Sequence, residues 1–272
     1  MNARLASLVV ISVLLVAACS NSASVASPSV PPGAGPAVEL TIYGAASLKS
    51  ALETAKAAYP SSHPGTTLTI STDASSTLET QIEQGAPADV FLSADAANPK
   101  KLVDRMLAAA EPVTFARNKL TVIVPTSNPR AITSPADLTR SGVKVIAAGD
   151  AVPITKYAMG VVANLAKEAG YPANYIAGYT TNTVSHEDNV KAVVAKIELG
   201  EGDAAIVYLT DATSSAKVKT IDVPDSANVI ATYNGVVLKA SKRAPAASDF
   251  LAWFAGPAGQ AILGKLGFLP PS

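Results

Sequence analysis

The chain has 272 residues and carries 21 basic and 21 acidic side chains, so its formal net charge is zero at pH 7. Hydrophobic residues make up 49% of the sequence; this excludes an intrinsically disordered protein and predicts a globular one with a sizeable core. Because the chain has no basic surplus, nucleic acid is not an expected partner.

The first 37 residues predict an exported lipoprotein. Arg4 precedes an apolar stretch, residues 5–18, which has the length of a signal-peptide core and is too short to span a membrane. The stretch ends in Leu-Val-Ala-Ala-Cys, which resembles a bacterial lipobox. In such a motif Cys19, the only cysteine, becomes the first mature residue and carries lipid. We therefore expect a signal peptide over residues 1–18 and a protein anchored by lipid at the extracytoplasmic face of the cell membrane.

Residues 19–37 are rich in Ser, Pro, Gly and Ala and contain no charged side chain. This composition is typical of a flexible tether and lacks the apolar residues that a core requires. A single cysteine also excludes an intramolecular disulfide. The folded part of the protein is therefore expected to begin near residue 38.

Beyond the tether, β-branched or apolar runs alternate with segments of helical spacing. The predicted strands are 40–43, 67–72, a buried run within 85–95, 119–125, 143–147, 175–179, 204–208, 218–223, 229–232 and 236–239. The predicted helices are 48–59, 78–84, 98–110, 157–167, 190–199 and two stretches within 247–268, while 183–189 is expected to be a polar turn. This alternation predicts an α/β protein with mainly parallel sheets.

Four of the helices start directly after a strand and a turn of small or polar residues. Ser47 is placed to cap the first of them, and Ser76 with Glu79 matches a capping box at the second. Pro153 suits the first turn of the third, and Val190 opens the fourth. Free backbone N–H groups at such helix starts form anion sites beyond the strand ends.

The sequence lacks the motifs of common catalytic sites. It contains two histidines, and no cluster of potential ligands has metal-ligand spacing. Ser214 and Lys217 satisfy S-x-x-K, but the companion S-D-N and K-T-G motifs are absent. A triad of Ser47, His186 and Asp188 can be drawn, although nothing in the sequence supports its geometry. The favoured interpretation is that the protein binds a ligand without catalysing a reaction.

Helix starts that offer only N–H and hydroxyl donors suit a fully deprotonated oxyanion. Phosphate carries a proton near neutral pH and would need an acceptor such as a carboxylate. Asp73, Asp150 and Asp188 stand near the predicted helix starts. This reasoning disfavours phosphate without excluding it.

The chain resembles the molybdate-binding proteins of bacterial ABC importers, which belong to the periplasmic-type solute-binding superfamily. The resemblance covers nearly all of residues 39–269 and rests on the blocks TIYGAASLKSAL, SSTLETQIEQGAPADVFLSAD, AAGDAVPITKYA, EDNVKAVVAKIELGEGDAAIVY and FLAWFAGPAGQAILGKLGF. It implies a two-lobed type II periplasmic-binding-protein fold with the ligand in the cleft. On this basis residues 38–116 and 231–272 would form one lobe, and residues 117–230 the other.

The resemblance also implies five ligand-binding residues. Ser47 and Ser75 would each donate a hydroxyl and a backbone N–H, Ile154 and Val190 would each donate a backbone N–H, and Tyr208 would donate its phenol hydroxyl. Molybdenum would thus be held only as its oxyanion, with no direct protein ligand to the metal.

Two features bear on how closely the binding site follows the family pattern. The position of Ile154 is commonly alanine followed by glycine, whereas here Thr155 follows it and could add a ligand hydroxyl. Some relatives coordinate the metal with carboxylates, for which Asp150 and Asp188 are the candidates. Ser47 and Ser75 fit the hydrogen-bonded, tetrahedral class better.

The predicted function is capture of molybdate and tungstate for delivery to an ABC permease, by a monomer that needs no cofactor and is not an enzyme. The first alternative is a binder of sulfate or phosphate. The second is a serine hydrolase that uses Ser47 or Ser214.

Overall fold

The computed structural model describes residues 37–272. The predicted signal peptide, Cys19 and the tether up to residue 36 lie outside this range. In the part of the chain that is described, no helix has the length and apolarity needed to cross a membrane.

Helices and strands alternate along the described chain, as the sequence predicts. The strands are β1 (Val38–Ala45), β2 (Thr66–Asp73), β3 (Val90–Ser93), β4 (Val113–Asn118), β5 (Leu120–Pro125), β6 (Val145–Ala148), β7 (Thr183–Glu187), β8 (Ala205–Tyr208), β9 (Val218–Asp222) and β10 (Ala231–Val237). The helices are α1 (Lys49–Ser62), α2 (Ser75–Glu83), α3 (Ala97–Asp104), α4 (Pro153–Leu165), α5 (Tyr175–Asn182), α6 (Val190–Glu198), α7 (Leu209–Thr213), α8 (Ala244–Ala255) and α9 (Pro257–Lys265). Short 3-10 turns occupy Ala46–Leu48 and Pro135–Thr139.

The strands form three sheets. The first has the order β2-β1-β3-β10-β4, the second has the order β8-β5-β9, and β6 pairs with β7 in the third. The pairs β1–β2, β1–β3 and β6–β7 are parallel. Helices cover these sheets, so the predicted α/β class is confirmed.

The strand directions are more mixed than the mainly parallel sheets that we expected. Strand β10 runs antiparallel to β3 and β4, and β5 runs antiparallel to β8 and β9. Only Lys119 separates β4 from β5, so β5 continues the direction in which the chain leaves the first sheet. The chain thus crosses from one sheet to the next in a single extended segment.

The predictions for residues 175–179 and 183–189 are wrong. The first segment belongs to helix α5, which buries Tyr175 and Tyr179 on one face, and the Tyr175 hydroxyl donates to the carbonyl of Pro135 at 2.7 Å. The second contains strand β7, whose partly exposed polar residues resemble a turn in sequence although they pair with β6. A spacing of four between the two tyrosines was the helical signal.

Three other predictions also need correction. Helix α3 ends at Asp104 rather than Ala110, because Met106 adopts a positive φ of 58° and Ala108 bridges to Leu238. The expected strands 229–232 and 236–239 are one strand, β10. The capping box at Ser76 does not form, because Ala74 is the N-cap of α2 and Ser76 already lies inside the helix.

Core packing follows the predicted helix faces. Helix α1 buries Ala51, Leu52, Ala55 and Tyr59, the one-sided pattern that its sequence shows. Gly44 at the end of β1 allows this helix to approach the sheet, because a Cβ there would overlap the side chain of Leu52. The packing holds the turn after β1 close to the sheet edge.

Candidate functional site

All five residues predicted to bind ligand line one small cleft. Its volume is about 210 Å³ with the open solvent at its mouth included. The lining residues are Ala45, Ala46, Ser47, Ala74, Ser75, Ala94, Val152, Pro153, Ile154, Asn189, Val190 and Tyr208. They come from helix starts and strand ends that are far apart in the sequence.

One wall of the cleft is built at the edge of the first sheet. Strands β1 and β2 pair in parallel with Ala45 opposite Asp73, so both strands end at the same edge. The turn after β1 brings Ser47 to this edge, and α2 begins there at Ser75. Both serines are buried, at 6% and 1% exposure.

The facing wall is built in the same way from β6 and β7. These strands pair in parallel with Ala148 opposite Glu187, and helices α4 and α6 start shortly after them. Pro153 is the first residue of α4, as predicted, and Ile154 follows it. Val190 is the first residue of α6. The parallel pairing explains why two helix starts meet at one place.

Backbone donors at these helix starts have no acceptor within residues 37–272. The N–H groups concerned are those of Ser47, Ser75, Ile154 and Val190. At the start of α6, the side chain of Asn189 accepts the N–H groups of Lys191 and Ala192, at 3.1 and 3.2 Å. It does not accept the N–H of Val190. First-turn N–H groups carry the positive end of the helix dipole, so together they favour an anion.

The serine hydroxyls are held by neighbours in the first sheet. Ser75 Oγ accepts the N–H of Ala94 at 3.0 Å, which leaves its own proton free to donate. Ser47 Oγ lies 3.0 Å from Tyr233 Oη in a buried pair. The expected side-chain cap by Ser47 is absent, because a 3-10 turn precedes α1 and the hydroxyl bonds Tyr233 instead.

Tyr208, the last residue of β8, supplies a further hydroxyl to the lining. This oxygen is buried and has no hydrogen-bond partner among the described residues. Burial, with smaller contributions from nearby Tyr233, Tyr157 and acidic groups, raises the pKa of Tyr208 well above its usual value. The group therefore stays protonated and can donate, and an unpartnered buried donor is costly unless a ligand accepts from it.

The cleft lining contains no charged side chain. Thr155 and Asp150, the possible additional ligands, line a neighbouring, larger cavity together with His186. The hydroxyl of Thr155 donates to the carbonyl of Ala148 at 2.8 Å, which links the first turn of α4 to the end of β6. These side chains are not among those that line the small cleft.

The residues of the hypothetical hydrolase are not arranged for catalysis. Ser47 is bonded to Tyr233, whereas His186 lines the neighbouring cavity. Ser214 Oγ donates to the carbonyl of Asp211 at 2.8 Å and accepts from Lys191 at 3.3 Å. Ser214 thus closes the end of α7, with a structural role.

Two residues near the cleft were missed by sequence reasoning. Tyr233 lies 186 residues from Ser47, and no local pattern links a β10 tyrosine to the start of α1. Asn189 precedes an apolar helix, which is a recognised N-cap signal, but its side chain also reaches Asp73 at 2.9 Å. That second contact depends on the tertiary fold.

Comparisons with known proteins agree with this architecture. The molybdate-binding protein ModA of Mycobacterium tuberculosis is 34% identical over 265 residues, with 96% of each chain covered. The periplasmic molybdate-binding protein of Azotobacter vinelandii shares the fold at 23% identity and a TM-score of 0.72, covering 86% of this chain and 100% of that one. The sulfate-binding protein SubI of M. tuberculosis shares it at 19% identity and a TM-score of 0.75, covering 86% and 87%.

These likenesses confirm the predicted two-lobed α/β fold of periplasmic binding proteins. The lobe boundaries at residues 116, 117, 230 and 231 stay a prediction. The sequence profile described as bacterial extracellular solute-binding protein matches residues 40–269, and it represents a transport component rather than an enzyme. The chain belongs to the bacterial extracellular solute-binding protein family.

Proposed function

We propose that this protein captures molybdate, and also tungstate, outside the cytoplasm and delivers it to an ABC permease. The observation that carries the proposal is the set of neutral donors around one uncharged cleft: four backbone N–H groups without an acceptor in residues 37–272 and the hydroxyls of Ser47, Ser75 and Tyr208. The 34% identity to a molybdate-binding protein supports the choice of anion.

The donor set favours an anion that carries no proton. Every polar group identified in the lining can donate, and the carboxylates of Asp150 and Asp73 are not part of it. The O–H of a protonated phosphate would need an acceptor, and a lining hydroxyl that accepts from it would contribute one donor fewer to the anion. Molybdate, tungstate and sulfate lack that proton, so selection among them rests on size.

Membrane attachment through Cys19 is a separate part of the proposal. It rests on the signal-peptide pattern and the lipobox-like sequence that ends at this residue. In cells that produce the full chain, we expect the protein in the membrane fraction. Replacing Cys19 by alanine should release it from that fraction, and unchanged membrane association would argue against the lipid anchor.

Calorimetric titration of the purified protein tests the ligand assignment. We expect strong binding of molybdate and tungstate, weaker binding of sulfate and the weakest binding of phosphate. Competition experiments with sulfate at a fixed molybdate concentration provide the control for general anion binding. If sulfate competes on equal terms with molybdate, the assigned ligand is wrong, although the site would still be an oxyanion site. The proposed monomer can be checked by sedimentation of the same sample.

A further inference from the structure

One carboxylate oxygen connects the two walls of the cleft. Asp73 Oδ1 accepts the backbone N–H of Ala74 at 2.7 Å and the side-chain amide of Asn189 at 2.9 Å. The first partner directly precedes Ser75 at the start of α2, and the second directly precedes Val190 at the start of α6. Asp73 and Asn189 are 116 positions apart in the chain.

Asn189 uses both ends of its amide. Its Oδ1 accepts the N–H groups of Lys191 and Ala192 and so fixes the first turn of α6. Its Nδ2 donates to Asp73 on the facing wall. Movement of α6 away from α2 must therefore break a hydrogen bond to a charged acceptor, which is stronger than one between neutral groups.

Asp73 itself is not part of the cleft lining, whereas Asn189 is. A carboxylate inside the lining would repel an oxyanion, and here the negative charge instead accepts bonds that hold the surrounding helix starts. Each helix start presents one of the free N–H groups, those of Ser75 and Val190. The Asp73–Asn189 bond joins the two segments that carry these donors.

We propose that Asp73 is a positioning residue of the cleft, which holds the Ser75 and Val190 donors at the separation that the bound anion requires and slows the opening of the cleft. This inference rests on the proposed function, because it assigns a role within the same oxyanion site. It predicts that loss of the bond accelerates ligand release without unfolding the protein.

The test uses variants that keep the cap of α6. Asn189→Ser retains an oxygen that can cap the helix but has no amide to reach Asp73. Asp73→Ala removes the acceptor of the same bond from the other wall, and the double variant Asp73→Ala with Asn189→Ser completes a double-mutant cycle. Asp222→Asn is the control for loss of a carboxylate, since Asp222 is exposed and makes no side-chain hydrogen bond in the described chain.

Stopped-flow measurement of molybdate release gives the readout. We expect roughly tenfold or faster release for Asn189→Ser and for Asp73→Ala, the loss that follows from one charge-assisted hydrogen bond. The double variant should release molybdate within about threefold of the rate of the faster single variant, because both changes break the same bond. Asp222→Asn should release molybdate at the unaltered rate. Urea unfolding of each variant should show that the fold is retained.

The outcomes separate this inference from the proposed function. If the unaltered protein does not bind molybdate, the proposed function fails. If it binds and Asn189→Ser releases molybdate at the unaltered rate, the positioning role of Asp73 is overturned. Additive effects in the double variant also overturn it, because Asp73 and Asn189 would then act independently. If Asn189→Ser does not fold, Asp73→Ala decides alone: roughly tenfold faster release supports the pair, and release at the unaltered rate refutes it.

Discussion

Replacing Tyr208 by phenylalanine should weaken ligand binding and stabilise the free protein at the same time. The change removes one oxygen and leaves the ring, which packs against Tyr157 and Tyr233 at centroid distances of 6.3 and 5.7 Å. The removed hydroxyl is buried and has no partner among residues 37–272. The two effects have opposite signs because the hydroxyl is satisfied only when an anion accepts from it.

Both magnitudes follow from the same hydroxyl. A buried, unsatisfied polar group costs about 1–3 kcal/mol, so the free energy of unfolding of Tyr208→Phe should rise by up to this amount. A hydrogen bond to a charged group contributes a similar free energy, and its loss weakens the affinity for molybdate by roughly 5–150-fold. The raised pKa of Tyr208 keeps the phenol protonated near neutral pH, so the affinity loss should not depend on pH there.

Calorimetric titration with molybdate and urea unfolding of the free protein measure the two quantities. Tyr157→Phe is the matched control, since its hydroxyl accepts the N–H of Thr232 at 3.3 Å and does not line the cleft. The control should lose stability and keep its affinity. Unchanged affinity in Tyr208→Phe would remove this residue from the site, and a loss of stability would show that its hydroxyl has a partner in the free protein.

Four further substitutions test individual contacts of the fold. Ser75→Ala should lower stability by about 1–3 kcal/mol in urea unfolding, because its buried hydroxyl accepts a backbone N–H, and should also weaken molybdate binding. Lys191→Met leaves the buried carboxylate of Asp211, 2.8 Å away, without its cation, so unfolding should become easier by about 3 kcal/mol at neutral pH. Burial raises the pKa of Asp211, so the folded variant takes up a proton more readily than the unfolded chain does. The loss of stability in Lys191→Met should therefore be smaller at acidic pH than at neutral pH. An equal loss of stability at acidic and neutral pH would refute this. Gly259→Ala would make a Cβ overlap a backbone carbonyl of α8, so it should lower the melting temperature strongly. Gly264→Ala is its control: the added Cβ has no atom within 4 Å, and the higher helix propensity of alanine should stabilise the protein by about 1 kcal/mol.

The sequence by itself determined the helix starts that face the cleft. Small residues, a proline and an asparagine stand before apolar segments of helical spacing, and these local signals act within a few residues of each other. Ser47, Ser75 and Ile154 could therefore be placed at strand-to-helix junctions without a structure. Val190 could be placed at a helix start, although the strand before it was assigned to the wrong residues. Tyr208 required the family resemblance, because a tyrosine at the end of a buried strand is more often part of a core.

Strand directions and the assignment of residues 175–187 were decided by tertiary contacts. Residues 175–179 have composition compatible with a strand, but they form a helix that buries two tyrosines, one of which donates to Pro135 in the Pro135–Thr139 turn. Strand β7 is polar because both its faces are partly exposed, so burial gave no signal in the sequence. Pairing with β6 is what orders it.

The contacts that hold the cleft together also depend on the tertiary structure. Tyr233 supports the hydroxyl of Ser47, and Asp73 bonds Asn189, across separations of 186 and 116 residues. Local propensity acts over a turn or two of chain, whereas these bonds form only after the sheets have brought distant segments to one edge. The sequence specified which donors the protein offers, and the fold decided that they surround one space.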